Sequence, residues 1–323
     1  MKAWKNNPLA LVEKNNTIAV ISHVEPDGDS LGSLLGLGLA LKKICGSVYI
    51  FINDDFPQKY KFLPGYKYIT TYDNSHNMDF DFCFVLDCGD LQRLGYSQSI
   101  LSRSQNTVNV DHHISNTEFG SINILQSDAS STCEIIYDLL EDFQLQLDVD
   151  IATCLYIGLA TDTGNFVYDN TTAKTFRVAA DLMNYNINLN DISYNLYQNK
   201  SINNIRFLGH ILKHMEISSN GKIAMIMITN NLLEEYNVTI NEIDSVINYA
   251  RDIKGVEIAV MLKEIEGNQV KAGFRSKQEA NVSTLAQKFG GGGHKKASGA
   301  TIKGNVKEAR EKIEKQIRID LGW

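Results

Sequence analysis

The sequence predicts an α/β protein, in which a parallel-sheet domain is followed by a smaller mixed α+β domain. Two observations predict this class. Short apolar strands alternate with helices in the first half of the chain, and the second half has a different mixture of elements. The length of 323 residues agrees, because a domain has about 150 residues on average. We expect a first domain at 1–185, a linker at 186–215 and a second domain at 216–323.

The strands predicted in the first half are short and almost continuously apolar. They lie at 17–22, 48–52, 80–86 and 107–110. Helices are predicted between and after them, at 30–44, 130–143, 150–160 and 174–185. Apolar strands separated by helices are typical of a parallel sheet that is covered on both faces.

The second half begins after an asparagine-rich stretch, 184–204, which predicts the linker, and a helix near 205–215. Strands are then predicted at 223–228, 256–262 and 269–274, and helices at 241–249, 282–289 and 306–317. Four consecutive glycines lie at 290–293. These elements indicate a smaller domain of mixed type.

Composition limits the function. Lys and Arg number 31 and Asp and Glu number 38, which gives a net charge of −7. A protein that coats long nucleic acid needs a strongly basic face, so we expect no long duplex as a partner. No run approaches the roughly 18 apolar residues of a membrane span, and the five cysteines have no paired spacing. We therefore expect a cytoplasmic protein with reduced thiols and no membrane association.

Titratable side chains follow three of the predicted strands. The carboxyl ends of parallel strands meet at one edge of a sheet, where ligands bind, so we expect these side chains to converge. They are His23, Asp27 and Asp29 after the first strand, Asp87 after the third, and Asp111, His112 and His113 after the fourth, while Asp162 follows a later helix.

This set of residues favours a metal site. Crowded carboxylates raise one another's pKa values unless a cation neutralises them. Histidine with several aspartates and no cysteine suits Mn²⁺, and suits Mg²⁺ less well because of the imidazoles. The candidate ligands outnumber what one ion needs, so we expect two ions about 3.5–4 Å apart that activate water for attack on phosphorus.

Each of these residues alone has an ordinary structural explanation. Residues such as His23 and Asp162 are common in turns and helix caps. Three consecutive titratable residues at the end of a buried strand, 111–113, are costly to bury unless they are paired or bound to metal. Taken together, the clusters favour the metal site.

A second candidate site lies in the second half of the chain. Glycines allow backbone N–H groups to approach an anion closely, and a guanidinium can hold a phosphate with two hydrogen bonds. The candidate phosphate-binding residues are Arg275, Ser276, Gly291, Gly292, Gly293 and His294. The ordinary alternatives are a flexible loop for the glycines and a surface salt bridge for Arg275.

Together, these motifs resemble those of the DHH phosphoesterase superfamily. The matching residues are His23-x3-Asp27-x-Asp29, Asp87, Asp111-His112-His113-x2-Asn116 and Asp162. The segments 273–276 and 290–299 are similar to the substrate-binding motif of the DHH-associated C-terminal domain. Length and domain order most resemble the branch that degrades short oligoribonucleotides and dephosphorylates 3′-phosphoadenosine 5′-phosphate (pAp).

The resemblance implies a role for each site residue. His23, Asp27 and Asp87 would hold one Mn²⁺, and Asp29, Asp87, His112 and Asp162 would hold the other, with Mg²⁺ or Co²⁺ as alternatives. Asp111 would orient a ligating imidazole, and His113 would contact the scissile phosphate. The candidate residues of the second half would bind the far end of the substrate. Arg93 is expected to be structural.

The resemblance also implies a cytoplasmic homodimer that hydrolyses short RNA, pAp or dinucleotides. The main alternative is a phosphodiesterase for the cyclic dinucleotide c-di-AMP or for linear dinucleotides. A DNA exonuclease, a family II pyrophosphatase and a non-catalytic nucleotide-binding or metal-sensing module are weaker alternatives.

Overall fold

The computed structural model describes residues 7–53, 55–72, 78–239, 243, 246–293 and 295–322. The chain divides into two compact units, one ending at Asn199 and the other beginning at Lys200. We call them the N-terminal unit and the C-terminal unit. The segment 186–215 contains helices on both sides of this division. The limits 1–185, 186–215 and 216–323 remain predictions.

The N-terminal unit is built on a parallel sheet. In the part of the unit that the structure describes, its strands are β1 (Thr17–Ser22), β2 (Ser47–Ile52), β3 (Ile69–Thr71), β4 (Phe80–Leu86), β5 (Ser104–Asp111) and β6 (Ile122–Leu125). They lie in the order β3-β2-β1-β4-β5-β6 with parallel pairing throughout. The predicted parallel sheet is therefore confirmed. The prediction missed β3 and β6, which are short edge strands.

Each helix predicted in the N-terminal unit is present, and both of its ends lie within two residues of the prediction. Its described helices are α1 (Gly28–Ile44), α2 (Gln98–Leu101), α3 (Thr132–Asp142), α4 (Val149–Asp162), α5 (Ala173–Met183) and α6 (Leu189–Ser193). Short 3₁₀ or π-helical turns lie at Pro8–Leu11, Gln58–Tyr60, Tyr66–Tyr68, Leu91–Ser97 and Tyr194–Gln198. The prediction missed α2 and α6, which are a single turn or little more.

The strands are continuously apolar because both faces of the sheet are covered. Along β1, Ile18 and Val20 face a core that includes residues of α1, α3 and α4. Ala19 and Ile21 face a second core on the opposite side, as the alternation of side chains along a strand requires. Hydrophobic side chains therefore occupy successive positions of the same strand.

The order of the strands changes direction beside β1. β2 lies on one side of β1 and β4 lies on the other. In open parallel sheets, ligands bind at such a point, outside the carboxyl ends of the strands. The first residue after β1 is His23 and the first after β4 is Asp87, so two predicted metal ligands begin at this point of the sheet.

The C-terminal unit contains a mixed sheet. Its described strands are β7 (Glu216–Ile217), β8 (Ile223–Ile228), β9 (Ile258–Ile265), β10 (Gln269–Ser276), β11 (Gly292–Gly293) and β12 (Ala297–Lys303). They lie in the order β11-β12-β10-β9-β8-β7. The pair β8–β9 is parallel and the other pairs are antiparallel. The predicted mixed α+β domain is therefore confirmed.

Helices cover both faces of this second sheet. They are, within the described residues, α7 (Ile202–Lys213), α8 (Asn230–Tyr236), α9 (Val246–Asp252), α10 (Val282–Gln287) and α11 (Val306–Leu321). One apolar core includes residues of α10 and α11, and the other includes residues of α7 and α9. The helix predicted at 241–249 corresponds to α9, but 241–242 and 244–245 lie outside the described residues. None of the helices in the described ranges is both long enough and apolar enough to span a membrane.

Candidate metal centre and substrate-binding residues

The loop after β1 places His23, Asp27 and Asp29 at the carboxyl edge of the sheet. Asp27 is the N-cap of α1, and its carboxylate accepts hydrogen bonds from the backbone N–H groups of Asp29 and Ser30, each at 3.1 Å. His23 and Asp29 are buried. Because Nδ1 of His23 lies 2.6 Å from the carbonyl oxygen of Val24, which can only accept, Nδ1 carries the proton and Nε2 is left for a ligand.

Asp87 has an unusual backbone conformation directly after β4. Its φ is 54°, in the left-handed region that residues other than glycine seldom adopt. Its N–H donates to the carbonyl of Val110 at 3.0 Å, which holds the backbone in place. The buried carboxylate lies between two imidazoles, with Oδ2 3.5 Å from Nε2 of His23 and Oδ1 3.6 Å from Nε2 of His112. Strained residues of this kind are concentrated at functional sites.

His112 lies among several carboxylates. Its Nε2 is 3.9 Å from Oδ2 of Asp29 and 3.7 Å from Oδ2 of Asp162. These separations are too long for hydrogen bonds, so the imidazole and the two carboxylates do not form hydrogen bonds with one another. Within the described ranges, no Lys or Arg forms an ion pair with Asp29 or Asp162. In that part of the chain, the charge of these carboxylates is therefore balanced neither by Lys nor by Arg, so burial favours protonation or a bound cation.

The donor atoms form groups that fit a cation. In each group the potential ligand atoms lie within 4.8 Å of one another. The groups are His23 with Asp27 and Asp87, Asp29 with His112 and Asp162, and Asp87 with His112 and His113. Asp87 and His112 each belong to two groups, so the structure brings all the predicted metal ligands into one cluster. Carboxylate oxygens and imidazole nitrogens without thiolates suit divalent cations such as Mn²⁺ and Mg²⁺.

The pKa values of the carboxylates in this cluster are those expected when no cation is bound. Burial and the neighbouring Asp87 carboxylate raise the pKa of Asp29 to about 7. Burial and the charge of Asp29 raise the pKa of Asp162 well above its usual range. For Asp87, burial opposes ionisation, but the hydrogen bond with His23 and the nearby imidazoles hold the pKa below its usual range. Without a cation, several of these carboxylates therefore compete for protons.

Asp111 is fully buried at the end of β5 and contacts His113. Its Oδ1 lies 2.7 Å from Nδ1 of His113 and also accepts from the N–H of His112 at 2.9 Å. Its Oδ2 accepts from Nδ2 of Asn116 at 2.6 Å. The predicted ligand His112 has a hydrogen bond with the backbone of Ala129. Asp111 thus orients the imidazole of His113, to which the sequence analysis gives the contact with phosphate. The sequence analysis instead expected Asp111 to orient a ligating imidazole, but its contact with the predicted ligand His112 is to the backbone N–H.

Arg93, which was expected to be structural, lies beside this cluster. Its Nη2 is 3.1 Å from Nδ1 of His23. Its backbone carbonyl accepts from the N–H of Val24 at 2.8 Å. Because Nδ1 of His23 carries a proton, the guanidinium does not donate to it. The hydrogen bond from Val24 holds the loop after β1 against the turn Leu91–Ser97, which agrees with a structural role.

The sequence analysis missed two residues that contact the candidate ligands. Thr132, the first residue of α3, donates from its N–H to Asp29 at 2.6 Å and from its hydroxyl to Asp87 at 3.1 Å. Asn170 donates from Nδ2 to Oδ2 of Asp162 at 3.3 Å. The spacing of Ser131 and Glu134 is that of a helix capping box, which signals the start of α3. That signal does not show which carboxylates the helix faces.

In the C-terminal unit, Arg275 and Ser276 are the last residues of β10, which extends two residues beyond the predicted strand. The guanidinium of Arg275 is partly exposed and donates to the carbonyl of Phe274 at 3.0 Å. The hydroxyl of Ser276 is buried and donates to the carbonyl of Lys295 at 3.4 Å. Ser276 therefore holds the chain that follows the glycine run, while Arg275 is only partly exposed.

The glycine run forms an ordered strand pair. Gly292 and Gly293 lie in β11, opposite Gly299 and Ser298 of β12. A Cβ atom on Gly291 would lie 2.1 Å from the carbonyl oxygen of Gly299, so the two strands approach more closely than any side chain allows. Gly293 has a φ of 133°, which also favours glycine. The next candidate residue, His294, lies outside the described residues.

Comparison with known proteins agrees with this arrangement. The model of the DHH family, N-terminal domain, matches residues 17–159, and that of the DHHA1 domain matches residues 220–318. A Thermus thermophilus protein named bifunctional oligoribonuclease and PAP phosphatase NrnA is 30% identical over 312 residues, which cover 94% of this chain and 90% of that protein. The chain belongs to the DHH family of phosphoesterases.

Other relatives of this DHH phosphoesterase extend over both of its units. A Bacillus subtilis protein, also named bifunctional oligoribonuclease and PAP phosphatase NrnA, is 28% identical over 306 residues, which cover 92% of this chain and 93% of that protein. The crystal structure of an exopolyphosphatase-related protein from Bacteroides fragilis superposes with a TM-score of 0.86 at 28% identity, and the match covers 94% of this chain and 92% of that chain. The resemblance to DHH phosphoesterases with the associated C-terminal domain is confirmed.

Membership of the family also gives the class of reaction and its need for metal. DHH phosphoesterases are hydrolases that depend on divalent metal ions, so the predicted hydrolase class is confirmed. The cluster around Asp87 and His112 is the place where this chain could bind such ions.

Proposed function

We propose that this DHH phosphoesterase degrades short oligoribonucleotides to mononucleotides and removes the 3′-phosphate of pAp. One observation carries the proposal. The chain is similar over its length to proteins named for both activities, and it brings imidazoles and carboxylates together in a partly buried cluster at the ligand-binding edge of its sheet. Such a cluster suits metal-assisted hydrolysis of a phosphoester.

In this proposal the cluster holds two Mn²⁺ ions, with Mg²⁺ or Co²⁺ as alternatives. The first set of ligands is His23, Asp27 and Asp87, and the second is Asp29, Asp87, His112 and Asp162. The support is geometric, because Asp87 belongs to more than one group of potential ligands and has an imidazole facing each of its oxygens. When bound, such ions supply an activated water nucleophile and neutralise charge on the phosphoryl oxygens.

His113 and Asp111 are the proposed catalytic pair. The Nδ1–H group of His113 donates to the buried carboxylate of Asp111, which leaves Nε2 for the substrate. We assign His113 the protonated form, which the neighbouring Asp111 carboxylate stabilises. Its Nε2–H group would donate a hydrogen bond to the scissile phosphate and then transfer that proton to the leaving oxygen. Because the carboxylate of Asp111 is itself held by Asn116, the imidazole does not have to be ordered when the substrate binds.

The C-terminal unit supplies the proposed binding residues for the rest of the substrate. They are Arg275, Ser276, Gly291, Gly292, Gly293 and His294. Gly292 is exposed, and there is open space where a side chain would lie, so a ligand can approach its backbone closely. The partly exposed guanidinium of Arg275 suits a phosphate.

A substrate panel in Mn²⁺ buffer tests this function. It contains a labelled RNA trimer, a labelled long RNA strand, pAp, linear pApA and c-di-AMP. We expect rapid loss of the trimer and of pAp, with slow loss of the long strand and of c-di-AMP. Preferential hydrolysis of c-di-AMP would instead assign the chain to the cyclic dinucleotide phosphodiesterases. Metal binding without hydrolysis of any substrate would overturn the proposal.

We further propose that the enzyme acts in the cytoplasm as a homodimer. All five cysteines are free and buried, which suits a reducing compartment. Support for the dimer comes from the superfamily, in which dimers are common. A mass in light scattering of twice the chain mass is expected, and the mass of a single chain would contradict the dimer.

A further inference from the structure

We propose that residues 130–134, at the start of α3, position the carboxylates of the metal cluster, and that Thr132 is the central positioning residue. We call residues 130–134 the positioning segment. This inference rests on the proposed metal centre and concerns residues outside the predicted ligand set. Its physical basis is a network of hydrogen bonds to three of the candidate ligands.

The start of α3 holds both oxygens of Asp29. The N–H of Thr132 donates to Oδ2 at 2.6 Å, and the N–H of Cys133 donates to Oδ1 at 2.9 Å. The first N–H groups of a helix have no acceptor within the helix and lie at the positive end of its dipole, so they suit a carboxylate. With both oxygens held, the carboxylate of Asp29 has one orientation to offer a cation.

The side chain of Thr132 holds a second carboxylate. Its hydroxyl donates to Oδ1 of Asp87 at 3.1 Å. The same oxygen lies 3.6 Å from His112 and 3.6 Å from His113. Thr132 has no solvent-exposed surface, so water does not replace this hydrogen bond. A single residue therefore contacts two candidate ligands from distant parts of the chain and fixes them relative to each other.

Glu134 holds the positioning segment in place. One of its carboxylate oxygens accepts from the hydroxyls of Ser130 and Thr175, and the other lies 3.1 Å from Nζ of Lys174. Glu134 is buried, and its partners belong to the segment itself and to α5. The start of α3 is thus attached to a neighbouring helix and is not a free loop.

Asn170 connects the segment to a third carboxylate. Its Nδ2 donates to the carbonyl of Ser130 at 2.9 Å and to Oδ2 of Asp162 at 3.3 Å. Asp29, Asp87 and Asp162 are therefore all held by the segment, either directly or through Asn170. Groups that orient metal ligands typically contribute about 10–100-fold to metal affinity, and we expect this contribution from Thr132.

The test compares variants of the segment in the full-length protein. Thr132→Val removes the hydroxyl and keeps the backbone N–H, Thr132→Ser keeps the hydroxyl, and Thr132→Ala replaces the valine variant if that variant does not fold. Thr153→Val is the control, because it makes the same change in α4 and removes a hydroxyl that donates to the carbonyl of Val149 and not to a cluster carboxylate. Mn²⁺ binding to the metal-free protein is measured by calorimetry, and the fold and melting temperature by circular dichroism.

We expect Thr132→Val to weaken Mn²⁺ binding about 10–100-fold and Thr132→Ser to bind almost as the wild type does. Thr153→Val should leave Mn²⁺ affinity unchanged, because its hydroxyl contacts only the backbone of α4. Unchanged Mn²⁺ affinity in a folded Thr132→Val protein would overturn the positioning role. If the wild type itself bound no Mn²⁺, the proposed metal centre would fail instead, so the two failures are distinguishable.

Discussion

Oδ1 of Asp111 lies 2.7 Å from Nδ1 of His113, in a position from which solvent is excluded. The two residues are two positions apart at the end of β5, so the contact is local and needs no long-range packing. Because the other oxygen of Asp111 is held by Asn116, the carboxylate has a fixed direction. Asp111 therefore contacts the imidazole of His113 directly and the predicted ligand His112 only through its backbone N–H group.

Asp111→Asn should therefore reduce turnover without removing the metal. The amide keeps the size of the carboxylate but loses its charge, so it no longer stabilises the protonated imidazole that donates to the leaving oxygen. We expect kcat for pAp to fall about 10²- to 10⁴-fold, the usual contribution of a general acid, with Mn²⁺ affinity close to that of the wild type. Steady-state kinetics and calorimetry measure the two effects separately. An equal loss of Mn²⁺ affinity would show that Asp111 acts through the metal ligands.

Asp87→Asn should abolish both metal binding and turnover. This residue lies between His23 and His112, and an amide oxygen is a much weaker ligand than a carboxylate. We expect a loss of about 10³-fold or more in kcat/KM, because bound metal contributes several kcal/mol to the reaction. The matched control is Asp90→Asn, which alters the N-cap of a nearby turn outside the cluster. Comparable losses in both variants would point to a general structural effect.

Metal affinity should rise with pH. In the metal-free protein, burial and neighbouring carboxylates raise the pKa of Asp29 to about 7 and also raise the pKa of Asp162. At about pH 6 a cation must displace protons from these groups, whereas at about pH 8 fewer protons remain to be displaced. Calorimetry in two buffers of different ionisation enthalpy measures both affinity and proton release. Equal affinity at the two pH values, without proton release, would contradict the electrostatic description of the cluster.

The glycine run allows a test of substrate binding in the C-terminal unit. A methyl group on Gly291 would meet the carbonyl oxygen of Gly299, whereas one on Gly292 would meet nothing within 4 Å. Gly291→Ala should therefore separate β11 from β12 and raise the KM for an RNA trimer, with Mn²⁺ affinity unchanged. Gly292→Ala should keep the strand pair intact but also raise KM, because its methyl group fills the space through which a ligand would approach. Gly209→Ala in α7 is the control, because a methyl group there also meets nothing within 4 Å and the residue is not a proposed binding residue. If Gly291→Ala had a wild-type KM, the strand pair would have no role in substrate binding.

The sequence predicted the central strands and the candidate ligands for the same physical reason. His23 and Asp87 follow strands that are buried on both faces, so each lies at the end of an unmistakable apolar run, and parallel pairing brings such ends together. The edge strands β3 and β6 were missed because they are short and partly exposed. A strand that buries little surface does not need a long apolar run, so the sequence pattern does not indicate it.

Thr132 could not be predicted from the sequence. Its hydrogen bond to Asp29 joins residues that are 103 positions apart, and its bond to Asp87 spans 45. The local pattern around Thr132 shows only that a helix begins there. Which carboxylate the new helix faces depends on how α1 and α3 pack, and no spacing along the chain records that packing.

The central claim is that divalent cations held by the Asp87 cluster enable hydrolysis of short phosphoesters. The most direct measurement is hydrolysis of pAp and of an RNA trimer by metal-stripped protein, while Mn²⁺ is added back, in parallel with Asp87→Asn. We predict no turnover without metal, recovery that saturates at about two ions per chain, and no recovery in Asp87→Asn. Full activity of the stripped protein, or of Asp87→Asn with Mn²⁺, would contradict the claim.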